Sequence, residues 1–97
     1  MSLDARVLSR NPKIEEAPLE SELMLFDPAS AGFFVLNPTM AYIWRHCDGA
    51  RPVGRIVEGL VADFEGATPS AAETDVREAV EELVSRGLLV DAGKPRV

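Results

Sequence analysis

The most reactive side chains in this sequence belong to the neighbours His46 and Cys47. A histidine base can activate a cysteine thiol when the two side chains lie within hydrogen-bonding reach. Apolar residues recur here at helical spacing, however, and adjacent residues on a helix point in different directions. Cys47 falls on the apolar stripe, which favours a core position, and His46 is expected as a solvated residue near the helix C-terminus, where the helix dipole favours positive charge. The pair therefore does not predict a nucleophilic site.

Acidic residues are the second group whose chemistry must be weighed. Those of the last predicted helix are Glu73, Asp75, Glu78, Glu81 and Glu82. No acid pair among them is isolated in an apolar setting, so a solvated acidic face is favoured over an acid–base pair. One histidine and one cysteine give no recognisable zinc-ligand spacing, and "GARPVG" lacks the Lys-Ser/Thr ending of a phosphate loop. We therefore expect no enzyme activity, no metal and no cofactor.

Composition narrows the class of protein further. The chain has 97 residues, a formal net charge of −6 at pH 7 and a single cysteine. The length indicates one domain, and the charge argues against nucleic acid as a partner. One cysteine excludes an internal disulfide, which fits a reducing compartment. Neither a signal peptide nor a membrane-spanning apolar run is recognisable, so a soluble cytoplasmic domain that does not bind membranes is expected.

Short apolar runs come first along the chain and predict strands. They cover Ile14–Ala17, Glu22–Asp27 and Phe33–Leu36, and a loop of turn-forming residues joins the last two. "LLV", residues 88–90, is expected to be a short extended tail.

Three helices are predicted after these strands by the helical period. The first has Asn37 as its N-cap and stops at Gly49, the second runs from about residue 53 to 64, and the third begins with Thr68 or Ser70 as its cap and ends at Gly87. This order predicts an α+β domain, a three-stranded antiparallel sheet followed by three α-helices. We expect it to span residues 13–91, with a flexible lead-in at 1–12 and a flexible tail at 92–97.

Three pieces of sequence, in this order and spacing, resemble the PqqD-like family, named for pyrroloquinoline quinone biosynthesis protein D. They are "GFFVLNPTMAYIW", "CDGARPVGRIVEGLVADF" and "DVREAVEELVSRGLL". The resemblance covers about residues 14–90 and implies a winged helix-turn-helix-like fold. The loop "DPASAG" looks closer to the broader PqqD-like group than to the quinone-pathway protein. Because the chain ends shortly after "GLLV", we expect a stand-alone module rather than part of a fused enzyme.

The resemblance also implies a role in peptide recognition. Members of the family bind the leader of a ribosomally synthesised precursor peptide as a strand added to the third strand, beside the third helix. They thereby present the peptide to a modifying enzyme, often a radical S-adenosylmethionine enzyme, or to a leader protease in lasso-peptide systems. The peptide-binding residues expected here are Phe33, Phe34, Val35 and Leu36 in the strand and Val76, Arg77, Val80, Leu83 and Val84 in the helix.

Several alternatives stay open from the sequence. The period of a strand sets Phe33 and Val35 on one face and Phe34 and Leu36 on the other, without indicating which pair is core. A subunit that only tethers or stabilises a partner enzyme would need the same exposed apolar surface. A DNA-binding winged helix is disfavoured because its third helix would be acidic. An open strand edge also permits a homodimer.

Overall fold

The computed structural model describes residues 6–64, 66 and 68–91, which form an α+β domain, as predicted. Its strands are β1 (Val7–Arg10), β2 (Glu15–Pro18), β3 (Leu23–Asp27), β4 (Gly32–Leu36), β5 (Asp48–Pro52) and β6 (Leu89–Asp91). Its helices are α1 (Pro38–His46), α2 (Val53–Asp63) and α3 (Pro69–Ser85). The strands form two three-stranded antiparallel sheets, in the orders β5-β1-β6 and β2-β3-β4. The second sheet is the one predicted.

The first sheet differs from the sequence interpretation in two places. Strand β1 lies within residues 1–12, which were interpreted as a flexible lead-in, and β5 lies where only the end of the first helix was expected. Leu8 is the buried residue of β1, so the strand carries no alternating pattern that would reveal it. The extended conformation of β1 is stabilised instead by pairing with β5 and β6, which are distant in sequence.

Helices α1 and α3 begin at N-caps that the sequence predicted. The Asn37 side-chain oxygen accepts a hydrogen bond of 2.8 Å from the Met40 N–H and so starts α1 directly after β4. The Thr68 hydroxyl accepts from the Ala71 N–H at 3.3 Å, so Thr68, rather than Ser70, caps α3. In both helices proline follows the cap, where its missing N–H has no intrahelical partner to lose.

The end of α3 reverses the chain through Gly87, whose φ of 76° is readily adopted by glycine. The Gly87 N–H donates to the Val84 carbonyl at 3.0 Å, and the Leu88 N–H donates to the Leu83 carbonyl at 2.9 Å. These are the two hydrogen bonds of a Schellman motif. The reversal buries Leu88 beside the end of α3 and directs β6 towards its pairing with β1.

The core lies between the sheets and the helices. Its largest fully buried side chain is Trp44 of α1, accompanied by Leu23 and Leu25 of β3 and by Ile56 of α2. Cys47 is fully buried, as predicted from its place on the apolar stripe, and burial raises the pKa of its thiol to about 12. A thiol with so high a pKa is a poor nucleophile at neutral pH.

Candidate functional site

Strand β4 lies at one edge of its sheet. The sheet order places β3 on one side of it, and no strand of residues 6–64, 66 and 68–91 pairs with its other side. In an antiparallel ladder, alternate residues direct both N–H and C=O towards the partner strand, and the residues between them direct theirs away. The free side of β4 therefore presents main-chain donors and acceptors that an added strand can use.

The two faces of β4 differ sharply in burial. Leu36 is 2% exposed and Phe34 is half-buried against the core, whereas Phe33 is 62% and Val35 56% exposed. Phe34 and Leu36 are therefore the inner pair, which the sequence alone could not decide.

A groove runs between β4 and the last turns of α3, with a volume of about 250 Å³. It is lined by Phe34, Val35, Leu36, Met40, Glu82, Leu83, Arg86 and Leu88. Leu36, Leu83 and Leu88 are almost completely buried and form its floor, so the floor is rigid and apolar. Phe34 and Met40 are half-buried walls that still offer apolar surface.

One end of the groove is held in shape by Arg86. Its Nε donates to a Glu82 carboxylate oxygen at 2.8 Å, and a terminal nitrogen lies 2.8 Å from the same oxygen. The guanidinium carbon lies 5.2 Å from the centroid of the Phe34 ring, within the range of a cation–π contact. Arg86 thus covers the aromatic wall, and its ion pair with Glu82 places one charge of each sign at this end of the groove.

A second hollow of about 340 Å³ continues from the groove towards the start of α1. The two hollows share Met40 and Glu82, and the second is also lined by Asp75 and Glu78 of α3. A chain that extended along both hollows would pass from the Arg86 side to an acidic one. Coulomb attraction would therefore favour basic side chains in the second hollow.

The peptide-binding residues expected from the sequence are divided by the structure. Phe34, Val35, Leu36 and Leu83 line the groove. Val76 and Val80 are fully buried in the core, Arg77 is exposed, Val84 packs partly buried against the core, and Phe33 lies on the opposite face of the sheet. Contact of any of them with a peptide remains a prediction.

Met40, Glu82, Arg86 and Leu88 also line the groove but were not among the expected site residues. The i,i+4 spacing of Glu82 and Arg86 before Gly87 was the available signal for that pair. Leu88 joins the floor because the chain reverses at Gly87. The sequence predicted that α3 ends there, but it did not indicate where the next side chain would pack.

The described part of the chain shows neither a metal site nor a membrane-spanning helix. It contains no group of three or more His, Cys, Asp or Glu residues arranged to hold a metal ion. None of the helices within it combines the length and apolar character needed to span a membrane. The His46 Nδ1 lies 2.7 Å from the Tyr42 carbonyl, on its own helix. The expectation of a protein without a cofactor remains a prediction.

Fold and groove together define a small α+β domain of the winged-helix kind with an open strand edge. The chain belongs to the PqqD family, since residues 22–89 match the family described as coenzyme PQQ synthesis protein D (PqqD). That match covers β3, β4, all three helices and the floor of the groove. A comparison with curated proteins finds no match.

Two solved structures share the fold. The structure described as TbiB1 in complex with the TbiA(beta) leader peptide is 19% identical, with a TM-score of 0.76, and the alignment covers 91% of this chain and 99% of that one. A structure described as lasso peptide synthetase B1 complexed with the leader peptide is 23% identical, with a TM-score of 0.75, and the alignment covers 87% of this chain and 98% of that one. At these identities the likeness establishes the fold.

Proposed function

We propose that this chain is a non-catalytic peptide-binding module. It binds the leader of a ribosomally synthesised precursor peptide as a strand added to β4, with leader side chains in the groove beside α3. The observation that carries this proposal is the coincidence of a free strand edge with an apolar groove along it. Membership of the PqqD family supports it, as do two proteins of the same fold that were solved with leader peptides.

The geometry of β4 suits β-augmentation. Main-chain hydrogen bonds hold the added strand, and pockets for alternate side chains provide specificity. In β4 the residues that face the groove are Phe34 and Leu36, so side chains of the added strand on the same face would meet the Leu83 and Leu88 floor. Edge and groove therefore serve one ligand.

The proposal extends to the partners and the compartment. The domain presents the bound precursor to a modifying enzyme, such as a radical S-adenosylmethionine enzyme, or to a leader protease, in quinone biosynthesis or another peptide pathway of the cytoplasm. A homodimer through β4 would occupy the same edge and would compete with the leader. Binding of DNA is disfavoured, because α3 exposes Glu73, Asp75, Glu78, Glu81 and Glu82.

The test is titration of the chain with a synthetic leader from the precursor gene beside its own. Calorimetry is expected to give a dissociation constant of about 10 μM or lower, and amide NMR shifts should concentrate in residues 32–36 and 82–88. Phe34→Ala should weaken binding by about tenfold, since it removes a groove wall. Phe26→Ala is the matched control: it truncates a phenylalanine of β3 on the opposite face, one strand away from the free edge, and should leave the affinity within about twofold.

Thermal unfolding of both variants separates lost folding from lost binding. The proposal fails if the leader moves no amides along β4 or α3. It also fails if folded Phe34→Ala and Phe26→Ala bind the leader equally well. Co-purification of the enzyme with a chain that binds no leader would indicate the tethering subunit instead.

A further inference from the structure

The face of the β2-β3-β4 sheet opposite the groove, here called the outer face, is apolar and exposed. The strand register sets Phe26 directly opposite Phe33, and Met24 directly opposite Val35. Directly opposed residues share a face, so these four side chains form one patch. The rings of Phe26 and Phe33 lie 4.7 Å apart between centroids, and Phe33 and Val35 remain more than half exposed.

The segment that forms this sheet carries charge of one sign. Every charged residue from position 14 to 36 is acidic, namely Glu15, Glu16, Glu20, Glu22 and Asp27. Glu15, in β2, lies directly opposite Phe26 of β3, at the border of the patch. A second copy of this chain would bring acid against acid, which disfavours self-association through this face. The complementary occupant is an apolar protein surface with Lys or Arg at its rim.

We propose that the outer face docks the enzyme that processes the bound peptide, through such a basic-rimmed apolar surface. This inference rests on the proposed function for the identity of the enzyme. The period of β4 directs Phe34 and Leu36 to the groove face and Phe33 and Val35 to the outer face, with Val35 also at the border of the groove. Peptide and enzyme therefore use opposite faces of one strand and can bind together.

Strand addition also changes the outer face itself. A peptide paired with the free edge of β4 extends the sheet by one strand, and its alternate side chains lie next to Phe33 and Val35. The docking surface is then composite, part domain and part peptide. The enzyme accordingly binds the loaded domain more tightly than the empty one, and by linkage the enzyme tightens leader binding by the same factor.

The experiment uses the purified modifying enzyme or leader protease encoded beside this chain. Its affinity for the full chain is measured by biolayer interferometry, with and without saturating leader. Phe26→Glu, at an outer-face position of β3 that β4 separates from the added strand, is expected to weaken enzyme binding by about tenfold or more, as at an interface hot spot, and to leave leader binding within about twofold. Ala62→Glu, which adds the same charge at an exposed position of α2, should leave both affinities unchanged.

Two further arms test the charge and the coupling. Reversing the charge at the rim with Glu15→Lys should slow association with the enzyme and reduce its salt dependence. Saturating leader should raise the enzyme affinity of the wild-type chain by about fivefold or more.

The outcomes that overturn the inference are distinct from those that overturn the proposed function. Docking on the outer face is refuted if the enzyme does not bind the wild-type chain, or if it binds Phe26→Glu and Glu15→Lys as well as Ala62→Glu. The composite surface is refuted if the leader binds without changing enzyme affinity. A leader that fails to bind the wild-type chain refutes the proposed function and the composite surface, while the enzyme arm still decides the docking face.

Discussion

Gly59 in α2 sits against the hydroxyl of Tyr42 in α1, and its replacement by alanine tests how closely these two helices pack. A Cβ at position 59 would lie well inside contact distance of that hydroxyl oxygen, whereas the ring carbon that bears the hydroxyl would be 3.5 Å away. The Tyr42 hydroxyl is therefore the group that obstructs an alanine side chain at position 59. It donates to the Asp63 carboxylate at 3.1 Å, and the Tyr42 ring stacks on His46 at 4.0 Å between centroids.

The change in unfolding free energy caused by Gly59→Ala is the balance of opposing effects. Alanine in a helix interior is favoured over glycine by about 1 kcal/mol. Against this, overpacking costs about 1–3 kcal/mol. Displacing Tyr42 also loses a hydrogen bond worth about 0.5–1.5 kcal/mol. The substitution should therefore lower the unfolding free energy by about 1–2 kcal/mol. In a Tyr42→Phe background the hydroxyl is absent, and Gly59→Ala should raise the unfolding free energy by about 0.5–1 kcal/mol.

Urea unfolding of the wild-type chain, the two single variants and the double variant completes a double-mutant cycle. The expected interaction energy is about 2 kcal/mol, favouring the double variant over the sum of the single changes. Equal destabilisation by Gly59→Ala in both backgrounds would refute the reasoning, since the hydroxyl could not then be the obstacle. Stabilisation by Gly59→Ala in the wild-type background would do the same.

Two further changes probe the burial of Cys47 and the loop before β4. Burial raises the pKa of the Cys47 thiol from 9.0 to about 12. The unfolded chain therefore releases this proton at lower pH, and the unfolding free energy should fall between pH 9 and 12 by up to about 1.4 kcal/mol per pH unit. Cys47→Ala should flatten that slope in urea titrations, and an unchanged slope would contradict the assignment. Ala31 has a φ of 59°, so Ala31→Gly should raise the unfolding free energy by about 0.5–1 kcal/mol in urea; a decrease would contradict the strain argument.

The elements that the sequence predicted well are those with local signals. Asn37-Pro and Thr68-Pro start their helices, and Gly87 ends α3, because capping geometry depends on a few neighbouring residues. Strand β1 could not be predicted, since it has one buried residue and its partners lie at distant positions in the chain. Fold class thus followed from local patterns, whereas the β5-β1-β6 sheet depends on long-range pairing.

The candidate site was predictable only in outline. The strand Phe33–Leu36 was identified, but choosing its inner face needed the tertiary structure. On α3 the helical period selected Val76 and Val80, which the core buries completely. The groove lies one to two turns further along, where Arg86 covers Phe34. A periodic apolar stripe identifies what a helix buries, and it does not show where the adjoining surface stays open.

The size of β4 determines how the proposed affinity must be divided. Five residues allow roughly two to four hydrogen bonds to an added strand, each worth about 0.5–1.5 kcal/mol net. Micromolar binding requires about 8 kcal/mol, and ordering a flexible leader costs about 2–5 kcal/mol more. The main chain alone cannot supply this, so the walls at Phe34 and Met40 must contribute much of the remainder. Sequence preference among leaders should therefore reside in the side chains that enter the groove.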